Sequence, residues 1–184
     1  SMSLKVGILT VSDRAAANLY ETGDLSGPAV ESAVSSQIDQ MNSSFTDVQI
    51  SIANVQKQIV PDETNTIKDV LIEWSASNNT APQSCDLIFT TGGTGFSTRD
   101  VTPEATLAVL ERECQGLMSY ALNVLTAKQP LATLSRAAAG TRGNTLIVNL
   151  PGNPLGATQV VEILLPLLLH AVKDMHTGHM DVLV

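Results

Sequence analysis

Residues 90–100, TTGGTGFSTRD, place three glycines, several hydroxyls, an arginine and an aspartate directly behind the apolar run Leu87-Ile88-Phe89. Gly92, Gly93 and Gly95 let backbone approach a ligand closely, and Thr91 and Thr94 set hydroxyls beside N–H groups that can converge on phosphate oxygens. The segment lacks the lysine and spacing of a Walker A loop and the spaced glycines of a dinucleotide fingerprint. It reads either as a tight turn or as an anion cradle, and its position behind a strand and ahead of a capped helix favours the cradle. PGNP, 151–154, repeats the design with two prolines stiffening the backbone around Gly152. Two such loops at one sheet edge imply a cleft of nucleotide size.

Asp62 in VPDE and Asp100 in STRDVTPE are carboxylates expected at that edge. Mg²⁺ prefers hard oxygen ligands and commonly takes one or two protein carboxylates plus substrate phosphates. The pair suits a metal bridging a nucleotide, while an isolated Asp ahead of a helix is more often a cap. Ser12, Asp13, Asp24 and Ser26 bound a first long loop, 12–27, and Ser135, Arg136 and Arg142 add hydroxyl and guanidinium groups suited to anions. His170, His176 and His179 all fall at or beyond the last helix, which leaves nucleophilic catalysis without a base near any loop serine. A His176/His179 metal pair is less favoured than an accident of the tail.

The elements that position these residues follow from patterning. LKVGILTV, 4–11, is a buried parallel strand. Pro28 fits the first turn of a helix carrying Val30, Ala33, Val34, Ile38 and Met41. Val48, Ile50 and Ile52 alternate as a strand, and Thr64 caps a helix with Ile67, Val70, Leu71 and Trp74 on one face. The loop SASNNTAPQS, 75–84, reads as surface. Strand 87–91 precedes a helix from Thr102-Pro103-Glu104 to about Glu113; a helix 117–127, a strand 145–150 and a helix of about 155–174 follow. This alternation predicts an α/β three-layer sandwich, a mostly parallel sheet with helices on both faces, as one domain over 4–176 with a frayed tail at 177–184. Ligands of such sheets bind beyond the carboxyl ends of the strands.

Composition narrows the class. A net charge of -8 argues against nucleic acid as a partner. Cys85 and Cys114 read as reduced thiols of a cytoplasmic protein. With no 18-residue apolar run and no leader pattern, no membrane association is expected, and Ser1 ahead of Met2 reads as a cloning scar.

LTVSD, DLSGP, VPDE, TTGGTGFSTRDVTPEAT, LSRAAAG and NLPGNP, in this order over about residues 4–174, resemble the molybdenum-cofactor biosynthesis family of bacterial MogA and MoaB and of the eukaryotic G domains found in plants and in gephyrin. The eukaryotic G domains are the nearer match. The resemblance implies molybdopterin adenylyltransferase activity: ATP and molybdopterin react with Mg²⁺ present to give adenylated molybdopterin and pyrophosphate, for a molybdate-inserting E-type partner. It implies a MogA/MoaB-like sandwich, generally a homotrimer. By motif it assigns Asp62 and Asp100 as catalytic and metal-binding acids. Ser12, Asp13, Gly92, Gly93, Thr94, Gly95, Ser135, Pro151, Gly152 and Asn153 become cleft residues. Leu25, Thr98 and Asn144 depart from the usual arginine, proline, and serine or lysine. The competing reading is a molybdopterin carrier or a trimerising scaffold without turnover.

Overall fold

A computed structural model describes residues 1–19, 23–44, 49–76 and 83–178. Val48, most of the 75–84 loop (77–82) and residues 179–184, with His179, lie outside the described residues. Six strands form one sheet in the order β2-β1-β3-β6-β5-β4. They are β1 (Met2–Val11), β2 (Ile50–Val60), β3 (Leu87–Thr91), β4 (Arg112–Glu113), β5 (Ala139–Arg142) and β6 (Thr145–Leu150). β2, β1, β3 and β6 are mutually parallel, and their registers place Val60 beside Val11, Thr10 beside Thr91, and Thr91 beside Leu150. Four loops therefore leave the sheet at one edge. β1 connects leftward to β2 and β3 lies on its other side, so the strand order reverses at β1, where open α/β sheets place their ligands.

The period-2 alternation of the buried strands sorts the core onto two faces. Leu87, Phe89, Leu146, Val148 and Leu150 pack with α2 (Ser26–Ser44), α5 (Gln115–Thr126) and α6 (Pro154–Thr177). Ile88, Ile147 and Leu9 face α3 (Thr64–Trp74) and α4 (Thr102–Val109) on the other side. This is the expected three-layer sandwich. By length and composition α6 is long and apolar enough to cross a membrane, but its stripe of Ala157, Val161, Leu164, Leu165 and Leu168 is buried on the sheet.

Several boundaries differ from the sequence reading. β2 runs on through the polar Asn54–Gln58, which an edge strand tolerates because its outer side meets water. α4 stops at Val109, short of Glu113, because 112–113 pair antiparallel with β5 instead. β5 itself was unexpected. It forms a hairpin with β6 around Gly143-Asn144, with Gly143 at φ 54, a two-residue turn with glycine first. Thr64 and Thr102 are the first residues of their helices instead of the caps; Glu63 and Val101 occupy the N-cap positions, and neither makes a side-chain capping bond.

The two cysteines differ sharply. Burial pushes the Cys85 thiol up to about 12, whereas Cys114 is exposed. Since the thiolate is the nucleophile, iodoacetamide at pH 8 is expected to alkylate Cys114 in the native protein and to leave Cys85 untouched until denaturant is added, as peptide mass spectrometry would read out.

Candidate functional site

Geometry at the strand ends is set by two adjacent glycines of positive φ. Gly92 (φ 96) and Gly93 (φ 66) reverse the chain directly after β3. A Cβ on Gly92 would lie 2.3 Å from the Val11 carbonyl oxygen, and one on Gly93 2.3 Å from Thr102 Oγ1 and 2.9 Å from Asp62 Oδ1. The glycine loop is thus pressed against the ends of both neighbouring loops. Thr91 Oγ1 donates to the Pro151 carbonyl at 2.8 Å, which ties it to the PGNP loop. That bond corrects the sequence reading of Thr91 as a phosphate ligand: the hydroxyl is buried and committed. Beneath the loop, Asn149 accepts from Ala138 N–H and donates to Thr90 and Thr106, a buried polar knot that joins β6, β3 and α4.

Arg136 holds the second half of the loop. Its backbone N–H donates to the Thr94 carbonyl, Nε to the Gly95 carbonyl at 2.7 Å, and Nη2 to the Asp100 carbonyl at 2.9 Å. Nη1 pairs with Glu104, and the guanidinium lies 5.9 Å from the centre of the Phe96 ring. It therefore acts as a clamp on the loop, which corrects its reading as an anion site, and Arg142 donates from Nη1 to the Val109 carbonyl. Arg136→Ala is expected to lower stability by about 2 kcal/mol, since several hydrogen bonds to a charged donor are lost, and lysine should not restore it because one ammonium cannot span these acceptors. Urea denaturation checks both variants.

Four aspartates gather at this edge, and their hydrogen bonds sort them. Asp24 is fully engaged by Thr10 Oγ1, Ser26 N–H and Oγ–H, and Gly27 N–H, so it caps the start of α2, whose first turn holds Pro28 as expected from sequence. Asp13 opens the short helix α1 (Asp13–Ala16), capped by Ser12 Oγ, and takes Arg99 Nε at 2.8 Å and Nη2 at 2.9 Å. Asp13 and Asp62 also exchange bonds: Asp13 N–H donates to Asp62 Oδ2 at 2.8 Å, and Asp62 N–H donates to Asp13 Oδ1 at 2.9 Å. Asp100 Oδ2 accepts from Ser97 N–H at 3.1 Å. Asp62 and Asp100 thus each keep one oxygen, Oδ1, without a partner among the described residues. That donor set fits a hard cation completed by phosphate and water. No group of three or more His, Cys, Asp or Glu side chains able to hold a metal ion occurs among the described residues.

The two members of the Asp13/Asp62 pair titrate in opposite directions. The Arg99 guanidinium, with the Asp62 N–H, holds Asp13 below the usual carboxylate range. Burial pushes Asp62 up, and the nearby Asp13 and Asp100 charges add to it, against the pull of the Asp13 N–H. A partly desolvated carboxylate beside other acids attracts a cation more strongly than one in water.

Two cavities meet here. The smaller, about 380 Å³, is lined by Ser12, Asp24, Asp62 and Gly92, and the larger, about 480 Å³, by Thr94, Gly95, Ser135, Pro151, Asn153 and apolar residues of α5 and α6. Gly93, Asp100 and Gly152 line both and form the shared wall. Of the cleft and metal residues assigned by the family resemblance, only Asp13 lines neither cavity, and Arg136 and Arg142 line neither as well. Ser135 is part-buried with its Oγ accepting from Ala137 N–H at 3.3 Å, and Asn153 caps α6 by accepting from Gly156 N–H at 2.6 Å. In sequence Asp24 only bounds the first long loop, although an acid just ahead of Ser-Gly-Pro is a helix-start signal. Sequence reasoning also left Arg99 without a role. His170 and His176 are far from this edge by connectivity: His176 pairs with Asp86, at the opposite end of β3, and His170 with Asp174 on its own helix.

The chain is 33% identical over 180 residues to "Molybdopterin adenylyltransferase" of Helicobacter pylori, covering 98% of this chain and 92% of that protein. It is 36% identical to "Gephyrin" of Dictyostelium discoideum over 91% of this chain but only 22% of that protein's length. The crystal structure of the molybdopterin biosynthesis enzyme MoaB from Thermus thermophilus superposes with a TM-score of 0.76 at 39% identity, covering 96% of this chain and 98% of that one. The family model described as "Probable molybdopterin binding domain" matches residues 7–170, and the chain belongs to that family.

Proposed function

We propose that this chain is a molybdopterin adenylyltransferase, acting as one domain over residues 4–176. The observation that carries the reading is the pair of cavities with a common wall at Gly93, Asp100 and Gly152, each within the size range of small-molecule sites. Two ligands seated in them would meet at that wall, as a nucleotide and a pterin phosphate must for transfer. The name of the Helicobacter pylori relative, covered along nearly its whole length, supports the same activity.

In the reaction, a terminal phosphate oxygen of molybdopterin forms a bond to the α-phosphorus of ATP, and the bond from that phosphorus to the bridging oxygen breaks, releasing pyrophosphate. The protein's task is to align two polyanions and offset their repulsion. Asp62 and Asp100 would hold Mg²⁺, which when bound neutralises phosphate charge. The loop amides after Gly92 and the Thr94 side chain bind phosphate oxygens at the wall. Ser135, with Pro151, Gly152 and Asn153, positions molybdopterin in the larger cavity, and Ser12 and Asp13 belong to the nucleotide side. The protein works in the cytoplasm as a homotrimer and passes its product to a molybdate-inserting E-type domain. The much greater length of the Dictyostelium discoideum relative agrees with such a neighbour.

The test is pyrophosphate release with ATP, Mg²⁺ and molybdopterin. Release that requires the pterin is expected. Release without it would identify a nucleotide hydrolase, and pterin binding without release a carrier or scaffold.

A further inference from the structure

Arg99 is the cation of the glycine loop whose donors are not exhausted. A guanidinium carries five N–H groups. Asp13 takes one from Nε and one from Nη2, the Arg99 side chain is 57% exposed, and no other hydrogen bond holds it among the described residues. Arg136, which flanks the same loop, has a bond from each of its three nitrogens, to Gly95, Glu104 and Asp100, whereas Nη1 of Arg99 makes none among the described residues.

The surroundings of Arg99 are acidic. Its charge acts on Asp13, Asp62 and Glu63, and Asp24 and Asp100 stand in the wall of the smaller cavity. A polyphosphate entering this cavity meets several carboxylates, so it needs cationic partners beyond a single metal ion. Arg99 lines neither cavity, but it directly precedes Asp100 of the shared wall, and its partner Asp13 is bonded to Asp62 of the smaller cavity. A nucleotide with its α-phosphate at the wall would direct its β- and γ-phosphates away from the wall.

Resting on the transferase reading, we infer that Arg99 binds the leaving pyrophosphate portion of the nucleotide through its uncommitted N–H groups. Asp13 serves as its resting partner: it holds the guanidinium while the cavity is empty and competes with phosphate for it. Arg99 is thereby a binding residue, distinct from a mere tie between the loops.

The two roles predict opposite results for the two halves of the ion pair. Calorimetric titration of pyrophosphate and of AMP, each at saturating Mg²⁺, would be run on the parent protein, Arg99→Ala and Asp13→Asn, with thermal melting as the folding control. Asparagine retains an acceptor for the Asp62 N–H, so that bond is preserved. Arg99→Ala is expected to weaken pyrophosphate at least about tenfold while AMP stays within about twofold, and Asp13→Asn to bind pyrophosphate at least as tightly as the parent. Equal weakening of pyrophosphate by both variants, a parallel loss of AMP, or no change in Arg99→Ala would overturn the inference. Failure of the transferase reading looks different: the parent would bind pyrophosphate in this Arg99-dependent way and yet release none from ATP with molybdopterin.

Discussion

Asp62→Asn is expected to reduce molybdopterin-dependent pyrophosphate release by about two orders of magnitude or more without unfolding the protein. Asparagine has nearly the shape of aspartate and can still accept the Asp13 N–H that holds Oδ2 in place. What disappears is the negative charge on the oxygen left without a partner. Burial already works against that charge, as the upward shift of the Asp62 carboxyl records, so the neutral side chain relieves desolvation and repulsion from Asp13 and Asp100. Thermal stability should therefore be unchanged or slightly raised. Loss of turnover with full stability would separate function from folding, and a raised Mg²⁺ requirement in whatever activity remains would tie the loss to the cation. Unchanged turnover would remove Asp62 from the working site.

Gly92→Ala should act on the fold itself, with a loss of about 3 kcal/mol or more by urea denaturation. Two costs combine. The backbone sits at φ 96, outside the range an alanine adopts readily, and the new Cβ would lie 2.3 Å from the Val11 carbonyl oxygen. That oxygen belongs to the end of a central strand, which cannot retreat without disturbing its neighbours on both sides. Gly116 supplies the contrast. It lies in α5 with open space where a Cβ would go, so Gly116→Ala is expected to stabilise by about 0.5–1 kcal/mol through helix propensity. Opposite signs for the same chemical change would show that the glycine loop is held by its packing. A small effect at Gly92 would mean that the loop can relax away from β1.

The layered architecture was legible in the chain because burial on both faces demands near-continuous apolar strands and one-sided helices. LKVGILTV, LIFTT and TLIVNL carry that pattern without ambiguity. The hairpin of β5 and β6 was less legible. AGTR has too few apolar residues to read as a strand, and only its partners in space satisfy its backbone. The end of α4 was misread for the same reason, since Arg112 and Glu113 have no local reason to leave a helix.

The site residues divide in a similar way. Residue type and order were enough to bring Asp62, Asp100, the glycine loop and PGNP to one sheet edge, because parallel strands joined by helices must all end there. Which carboxylate oxygens remain available is a different kind of fact. It depends on hydrogen bonds between segments far apart in sequence: Asp13 with Asp62, Arg99 with Asp13, and Arg136 with the carbonyls of Gly95 and Asp100. An arginine or a threonine has the same identity whether it is bound to a neighbour or open to a ligand. The sequence alone therefore determined the layers, the edge and the kinds of group gathered at it, since these follow from periodicity and local chemistry. Only the tertiary structure decided that Thr91, Asp24 and Arg136 are committed to holding the loops while Asp62, Asp100 and Arg99 retain unused bonding capacity, because hydrogen-bond partners are allotted by proximity in space.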